Sequence, residues 1–309
     1  MFTMPFHHPA RDYATILEED QEAILLADRL GFTEAFVGEH FSSWSERITS
    51  PLIFLATLIP KTTQIRFATG VINMPQLHPA TVAAHVAMFD QLCRGRFIFG
   101  IGPGGLVSDF ELFDVGQAEL RPEMMLESID IVLALWAQDP PYEIDGRFWK
   151  ISVTNSVYPE FKVGYVPRPF QQPHPPIALS LLSPSSSSAR TAGERGWIPV
   201  SGNFFHRRYL RGHWEKYAEG CEAMVKPDLD MPDEAVTVDA IKRGMIIAGS
   251  ARRVLDQLVA LREETGHFGT LLMAGHDWDQ PKLWRRSMEL LATDVMPKFA
   301  THSAAAPAS

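Results

Sequence analysis

Short apolar strands alternate with helices along almost the whole chain, and this repeat limits the folds open to it. Repeated strand–helix units predict a parallel sheet with right-handed crossovers. Because the strands are short and their order is uninterrupted, an α/β TIM-like (β/α) barrel is favoured over an open doubly wound sheet. After a short first strand that starts at Met1, the predicted strands lie at 34–38, 65–72, 95–101, 176–182, 197–201 and 270–274. The predicted helices lie at 11–30, 51–59, 79–92, 119–136, 185–196, 206–221 and 282–299.

One domain is predicted for residues 1–301, followed by a disordered tail at 302–309 that is mostly Ala, Ser and Pro. Barrels of this kind reach about 250 residues as single domains. A long excursion at 106–175, between the fourth and fifth strands, is expected to wall a pocket. It contains Asp145–Gly146, a dipeptide typical of a β-hairpin turn.

Composition excludes several classes of protein. Hydrophobic residues make up 46% of the chain and charged residues 21%, which is typical of a soluble globular protein. The longest apolar stretch, 51–60, is too short to span a bilayer, which needs about 20 residues. The net charge of -9, without a basic cluster, argues against a nucleic-acid partner.

The two cysteines, Cys93 and Cys221, are too few for a disulfide framework. They are expected to be buried, inert thiols in a reducing compartment. The first residues show no basic region ahead of an apolar one, so no secretion signal is expected. Together these features predict a cytoplasmic protein.

Histidines, amides, glycines and hydroxyls follow the predicted strands, whereas the other ends of the strands show no such pattern. Active sites of parallel barrels lie at the carboxyl ends of the strands. A single strand-end histidine is more often structural than catalytic, but several on one face indicate a site. The residues in question are His7 and His8, Glu39 to Phe41, Asn73 to Pro75, Gly102 to Gly105, Ser183 to Ser188, Gly202 and Asn203, and Gly275 to Asp277.

Two of these stretches allow more than one interpretation. Gly100-x-Gly102-x-x-Gly105 has the spacing of a dinucleotide fingerprint, but Pro103 interrupts it and no acidic residue ends a following strand. A tight turn close to a flat ligand is the better hypothesis. The serine run from Ser183 has the character of a phosphate site at a helix start, although an ordinary N-cap needs only one serine. Arg121 is the candidate counter-charge.

Other catalytic motifs are missing from the sequence. It contains no Walker lysine, no His-Glu-x-x-His and no close Cys/His cluster, so no metal site is predicted. A Gly-x-Ser-x-Gly elbow is also missing, which leaves hydrolase chemistry without support.

Several segments, spread over nearly the whole chain, carry motifs that occur together in one family. They are Phe36 to Phe41, Ala68 to Pro75, His78–Pro79, Leu92 to Gly100, Pro175 to Ser180, Ala248 to Ser250 and Asp294 to Pro297. Gly-Arg-Phe leading into a strand with glycines is fairly specific. On these motifs the chain resembles the bacterial-luciferase-like flavin-dependent monooxygenases, in particular the limonene- or alkane-type oxygenases.

The resemblance implies a TIM-like barrel, usually dimeric, that binds reduced FMN supplied by a separate flavin reductase. It implies that catalytic His40 supports the flavin hydroperoxide, by donating to a peroxide oxygen. Gly70–Val71 matches a bulge behind the flavin ring that often holds a non-prolyl cis peptide. Gly102 and Pro103 stand where luciferase itself has a cysteine and a phosphate arginine. The cofactor-binding residues expected on this basis are Gly70, Val71, Asn73, Gly102, Arg121, Ser183, Ser185 and Asn203.

The mouth of the predicted barrel also has candidate residues for an apolar pocket. They suit a terpene, an alkane or a ketone, although apolar side chains of this kind are as often part of the core. The predicted substrate-pocket residues are Met4, Phe6, Trp44, Phe204, Met273 and His276.

The barrel is expected to lack the segment around its seventh strand. Family members have a strand and a helical insertion between stretches resembling 217–221 and 226–232, which almost touch in this chain. The weak strand predicted at 245–248, or a partner, is expected to fill the gap. A second copy of the chain is the expected partner, because an open barrel would expose unpaired edges and apolar interior.

Three functions remain open from the sequence. The first is an FMN-dependent monooxygenase that oxygenates a small apolar substrate. The second is an oxidoreductase that transfers hydride with a deazaflavin cofactor and no oxygen. The third is a flavin-binding protein without activity. The cofactor that the purified chain binds distinguishes the first two.

Overall fold

The computed structural model describes residues 1–3, 6–184, 186–202, 206–218, 247–266, 271, 274–275 and 280–304. Its strands are β1 (Phe2–Thr3), β2 (Glu34–Val37), β3 (Arg66–Thr69), β4 (Ile72–Asn73), β5 (Phe97–Gly102), β6 (Tyr142–Asp145), β7 (Lys150–Val153), β8 (Ile177–Leu181), β9 (Ile198–Ser201) and β10 (Ala274–Gly275).

Its α-helices are α1 (Tyr13–Arg29), α2 (Pro51–Ala56), α3 (Pro79–Leu92), α4 (Val107–Leu112), α5 (Arg121–Ala137), α6 (Ser188–Glu194), α7 (Arg208–Ala218), α8 (Ala251–Thr265), α9 (Pro281–Leu290) and α10 (Met296–Ala304). A π-helical stretch, Leu291–Val295, joins the last two. Short 3₁₀ turns occur at Ile59–Lys61, Met74–Gln76 and Pro159–Phe161.

One parallel sheet forms the wall of the barrel, in the order β10-β1-β2-β3-β5-β8-β9, with β4 also paired to β5. The strands follow one another in chain order, which is the arrangement of a barrel and not of a doubly wound sheet. The predicted TIM-like fold is therefore confirmed. Within the described residues the sheet has its edges at β9 and β10.

The expected missing segment falls at 219–246, outside the described part of the chain, as do residues 245 and 246 of the predicted weak strand. Residues 247 and 248 lie outside any strand. The last helix ends at Ala304, so it includes the first three residues of the predicted tail.

Local sequence explains where the main helices begin. The Asp12 side chain accepts the backbone N–H of Thr15 and caps α1. Ser50 caps α2 in the same way, and Pro51 occupies its first turn. His78 caps α3, whose bounds agree with the sequence prediction.

Alternation along the strands separates two apolar layers. Residues of one face pack against the surrounding helices in the main core. Residues of the other face form a small plug inside the barrel. The plug consists of Phe36, Ala68, Ile98 and Ala178, with Val200 packed against it.

The excursion is built around the antiparallel hairpin of β6 and β7, as Asp145–Gly146 predicts. The carboxylate of Glu127 on α5 accepts the backbone N–H groups of Arg147, Phe148 and Trp149. This contact fixes the hairpin turn against the barrel. No helix in the described residues is both long and apolar enough to cross a membrane.

Candidate functional site at the barrel mouth

A layer of small residues lies above the plug, toward the carboxyl ends of the strands. Residues two positions apart on a strand share a face, so Gly100 follows Ile98 on β5 and Ser180 follows Ala178 on β8. The other members of the layer come directly after the ends of β2, β3 and β9. Four of its five residues are glycine. This face therefore carries few side-chain atoms at the mouth of the barrel. The five residues are Gly38, Gly70, Gly100, Ser180 and Gly202.

A bulge between β3 and β4 leans over the glycines of β5. The Gly70–Val71 peptide bond is cis, as the resemblance implies. A Cβ atom at Gly100 would lie 1.7 Å from the backbone oxygen of Thr69. A Cβ atom at Gly102 would lie 2.6 Å from Ser180 Oγ and 2.7 Å from Val71 Cγ2. Atoms of the neighbouring strands and the bulge therefore leave room only for glycine at these two positions. This close packing is a different reason for glycine from the tight turn that the sequence suggests.

Ser180 carries the polar atom of the glycine layer. Its side chain is 7% exposed, and its Oγ is buried without a hydrogen-bond partner. Buried hydroxyls in native proteins are rarely left unpaired. The hydroxyl next to the bulge is therefore a candidate contact for a bound molecule.

Asn73, a predicted cofactor residue, supports the end of β2. Its backbone N–H donates to Glu39 Oε2 over 2.9 Å, and its Nδ2 donates to the Glu39 carbonyl oxygen over 3.1 Å. Burial raises the pKa of the Glu39 carboxyl to about 8, helped by Asp109, although the Asn73 hydrogen bond and His40 act in the opposite direction. At neutral pH this carboxyl is mostly protonated.

His40 lies in a pocket of acidic side chains. Its Nδ1 is 2.8 Å from Glu46 Oε2. Asp109 on α4 accepts the backbone N–H of Phe41 over 3.0 Å and the hydroxyl of Ser42. Burial lowers the pKa of His40, but Glu46, together with Asp109 and Glu39, outweighs it and raises that pKa above the ordinary value. His40 is therefore biased toward the charged imidazolium.

Arg121 and Ser183 have separate contacts in the described structure. The Arg121 guanidinium stacks 3.6 Å from the centroid of the Phe110 ring, and its Nη1 donates to the Gly116 carbonyl. Ser183 is exposed, and its carbonyl accepts His213 Nε2 over 2.9 Å. These contacts do not support Arg121 as the counter-charge of the serine run.

The serine run begins its helix later than predicted. α6 starts at Ser188, and the N-cap residue Ser187 makes no side-chain capping bond. His213 on α7, which sequence reasoning missed, holds the loop. It donates from Nε2 to Ser183 and accepts the Ser201 hydroxyl at Nδ1, over 2.7 Å. Burial and the charge of Lys216 lower the pKa of His213, consistent with this neutral tautomer.

Of the six predicted pocket residues, the structure describes two. Phe6 is 65% exposed and Trp44 is 71% exposed, so neither belongs to the core. Their role as pocket lining stays a prediction. Six predicted site residues lie outside the described residues: Met4, Ser185, Asn203, Phe204, Met273 and His276.

The described residues include no group of three or more His, Cys, Asp or Glu side chains that could hold a metal ion. Cys93 is buried, and burial raises the pKa of its thiol to about 11, as expected for an inert cysteine. Cys221 lies outside the described residues.

A parallel barrel with small residues at its mouth and a histidine held by acidic side chains beside it defines the class of protein. The family of luciferase-like monooxygenases matches residues 1–306. The chain belongs to this family and is a monooxygenase of the luciferase-like type.

Two curated relatives cover nearly the whole chain. The 4-hydroxyprotoasukamycin monooxygenase of Streptomyces nodosus subsp. asukaensis is 29% identical over 96% of this chain and 91% of its own length. Limonene 1,2-monooxygenase of Rhodococcus erythropolis is 27% identical over 96% of this chain and 85% of its own. The first alignment spans 338 residues, more than the 309 of this chain, so that relative carries residues that this chain lacks.

Two solved structures share the fold. The oxygenating constituent of 3,6-diketocamphane monooxygenase of Pseudomonas putida, a type II Baeyer-Villiger monooxygenase in complex with FMN, has a TM-score of 0.84 at 24% identity, covering 96% of this chain and 97% of that one. An F420-dependent secondary alcohol dehydrogenase has a TM-score of 0.70 at 17% identity, covering 92% and 95%.

Proposed function

We propose that this chain is the oxygenase component of a flavin-dependent monooxygenase. It takes reduced FMN from a separate reductase and oxygenates a small apolar organic molecule, namely a terpene, an alkane or a ketone. Two named relatives support the substrate class: limonene is a terpene, and diketocamphane is a ketone. The FMN complex, and its description as an oxygenating constituent, support the cofactor and the separate reductase.

The glycine layer is the observation that carries the proposal. A flat ring system needs a wall without side chains, and Gly38, Gly70 and Gly202 give one above the plug. Ser180 supplies a buried hydroxyl that lacks a partner. The residues present thus fit an isoalloxazine ring.

Reduced FMN supplies two electrons to dioxygen, so that one oxygen atom enters the substrate and the other leaves as water. The chain binds and orients the reactants. The Gly70–Val71 bulge backs the ring, and Ser183 and Ser185 hold the phosphate. His40, as an imidazolium, donates a hydrogen bond to the reacting oxygen, which disfavours loss of hydrogen peroxide.

A homodimer is part of the proposal. Met88 and Leu92, four residues apart on α3, are 56% and 55% exposed. Residues at this spacing share one helix face, so they form an apolar strip on the surface. A species of one chain mass in sedimentation at micromolar concentration would count against the dimer.

Cofactor binding and turnover together test the function. The purified chain is titrated with FMN, riboflavin and a deazaflavin cofactor, and is then supplied with a flavin reductase, NADH, oxygen and a panel of terpenes, alkanes and ketones. We expect FMN to bind and an oxygenated product to form. Preferential deazaflavin binding, with alcohol oxidation and no oxygen uptake, would support the hydride-transfer alternative instead.

A further inference from the structure

The loop after β2 brings a carboxylate against one nitrogen of the His40 ring. Glu46 Oε2 lies 2.8 Å from Nδ1, and the two side chains are only 10% and 15% exposed. Burial lowers the pKa of His40, and the contact with Glu46 is the main influence that raises it. In so poorly solvated a place, an ion pair is screened less than at the surface.

The loop that carries Glu46 is held firmly. The guanidinium of Arg47, the next residue, is buried and donates to the carbonyl oxygens of Trp44, Arg11 and Pro9. Tyr13 donates to the Arg47 carbonyl over 2.6 Å. Because its neighbour is anchored at four points, Glu46 has a defined position relative to the His40 ring.

The other ring nitrogen is the one left for a ligand. In the described chain, Nε2 of His40 has no protein partner, whereas Nδ1 faces Glu46. A neutral ring that keeps its proton on Nδ1 offers only a lone pair at Nε2. Only the imidazolium donates from Nε2 while Nδ1–H still faces the carboxylate.

The geometry points to Glu46 as a positioning residue, which orients His40 and keeps it charged so that Nε2–H is presented to the molecule in the barrel mouth. The reaction-level part of this inference rests on the proposed function. The same logic operates wherever a carboxylate orients a catalytic histidine through its second nitrogen. Glu46 contacts neither cofactor nor substrate in this scheme and acts through His40.

Other acidic side chains near His40 are placed differently. Glu39 precedes it at the end of β2, and Asp109 approaches from α4, where its oxygens accept Phe41 N–H and the Ser42 hydroxyl. Glu46 differs from both in its direct approach to Nδ1. Removing the Glu46 charge should therefore change the titration of His40 more than other carboxylate substitutions.

The first test is made on the flavin-free protein. Nitrogen and carbon NMR of labelled histidines follows the titration of His40, assigned with a His40→Asn variant, with free histidine as the reference. We expect His40 to stay protonated to higher pH than free histidine. In Glu46→Gln its midpoint should fall, whereas Glu46→Asp, which keeps the charge, should retain most of the shift.

A matched control removes a carboxylate from the same region. Glu19 pairs with Arg11 over 2.7 Å and does not contact His40. Glu19→Gln should leave the His40 midpoint unchanged. If wild-type His40 titrates as free histidine does, the inference is overturned even if Glu46→Gln fails to fold.

The second test is made with reduced FMN and substrate. Glu46→Gln should lower kcat by up to about a hundredfold, leave KM and FMN affinity nearly unchanged, and release the missing electrons as hydrogen peroxide. As the pH rises, the share of electrons that reaches the oxygenated product should begin to fall at a lower pH than in wild type. An unchanged pH profile, despite a lowered His40 midpoint, would reject the positioning role. Failure of wild type to bind FMN would reject the proposed function, whereas the NMR titration would still decide the pairing.

Discussion

Asn73 and Glu39 are joined twice across the mouth of the barrel: the Asn73 N–H meets Glu39 Oε2, and the Asn73 amide meets the Glu39 carbonyl oxygen. These contacts tie the start of the Met74–Gln76 turn to the end of β2. They also hold a carboxyl group inside the protein, next to His40. The burial of Glu39 makes stability depend on pH.

We predict that Glu39 destabilises the fold as pH rises. Its pKa is about 8 in the folded chain against an ordinary 4.5. Between these values the unfolded chain binds fewer protons, so the free energy of unfolding falls with increasing pH. Relative to Glu39→Gln, wild type should lose on the order of a few kcal/mol from about pH 5 to about pH 8. Urea unfolding of both proteins at several pH values measures this difference, and parallel curves would contradict it.

Gly102→Ala should damage the cofactor site and the fold together. The new methyl group would meet Ser180 Oγ at 2.6 Å and Val71 Cγ2 at 2.7 Å. Overpacking of this kind costs about 1–3 kcal/mol. We expect a lower melting temperature and weaker FMN binding in a fluorescence titration.

Gly105 gives the matched control for this substitution. It lies three residues further on, in the loop after β5, where a Cβ atom would meet nothing within 4 Å. Gly105→Ala should leave both measurements near wild type. Normal FMN binding by Gly102→Ala would show that the Gly70–Val71 bulge is not part of the cofactor site.

Ser183→Ala combined with Ser185→Ala should separate FMN from riboflavin. Hydrogen bonds to a charged acceptor are each worth about 1.5–3 kcal/mol. Only FMN carries the phosphate, so its affinity should fall far more than that of riboflavin. Isothermal titration of both ligands on wild type and variant measures the two losses. Equal losses would refute the phosphate assignment.

Much of the fold could be predicted because its signals are local. The strands β2, β3, β5, β8 and β9 were read from apolar runs bounded by Gly and Pro. α3 begins at Pro79 as predicted, and the structure shows that His78 caps it. α4 is not predicted because it has only six residues, and its N-cap residue Leu106 makes no capping bond. No helix is predicted at α8, although Ser250, which caps it, is a typical helix start.

Less of the site could be predicted from the sequence, because the side chains that contact one another there come from distant segments. His40 and the Gly70–Val71 bulge follow strands, where barrel chemistry is expected. Asp109 reaches Phe41 from 68 residues away. His213 reaches Ser183 from a helix 30 residues away. The residues directly after each strand do not include the groups that approach the site from helices.

The last prediction concerns the role of His40 in coupling. Losing one donor in a water-poor site costs about 2.7–4 kcal/mol in comparable oxyanion cases, or roughly a hundred- to a thousandfold in rate. His40→Asn should keep FMN affinity, lose most oxygenated product and convert the same electrons into hydrogen peroxide. Product and peroxide are measured together against NADH consumed.

His8→Asn is the control for this experiment, because His8 is an exposed histidine near the same end of the barrel. His8→Asn should give the same ratio of oxygenated product to hydrogen peroxide as wild type. The alternative is that His40 serves only the fold, through its ion pair with Glu46. In that case His40→Asn would melt at a lower temperature and keep the wild-type ratio of product to peroxide. Since the two roles move different observables, a lowered melting temperature with unchanged coupling would reject the catalytic one.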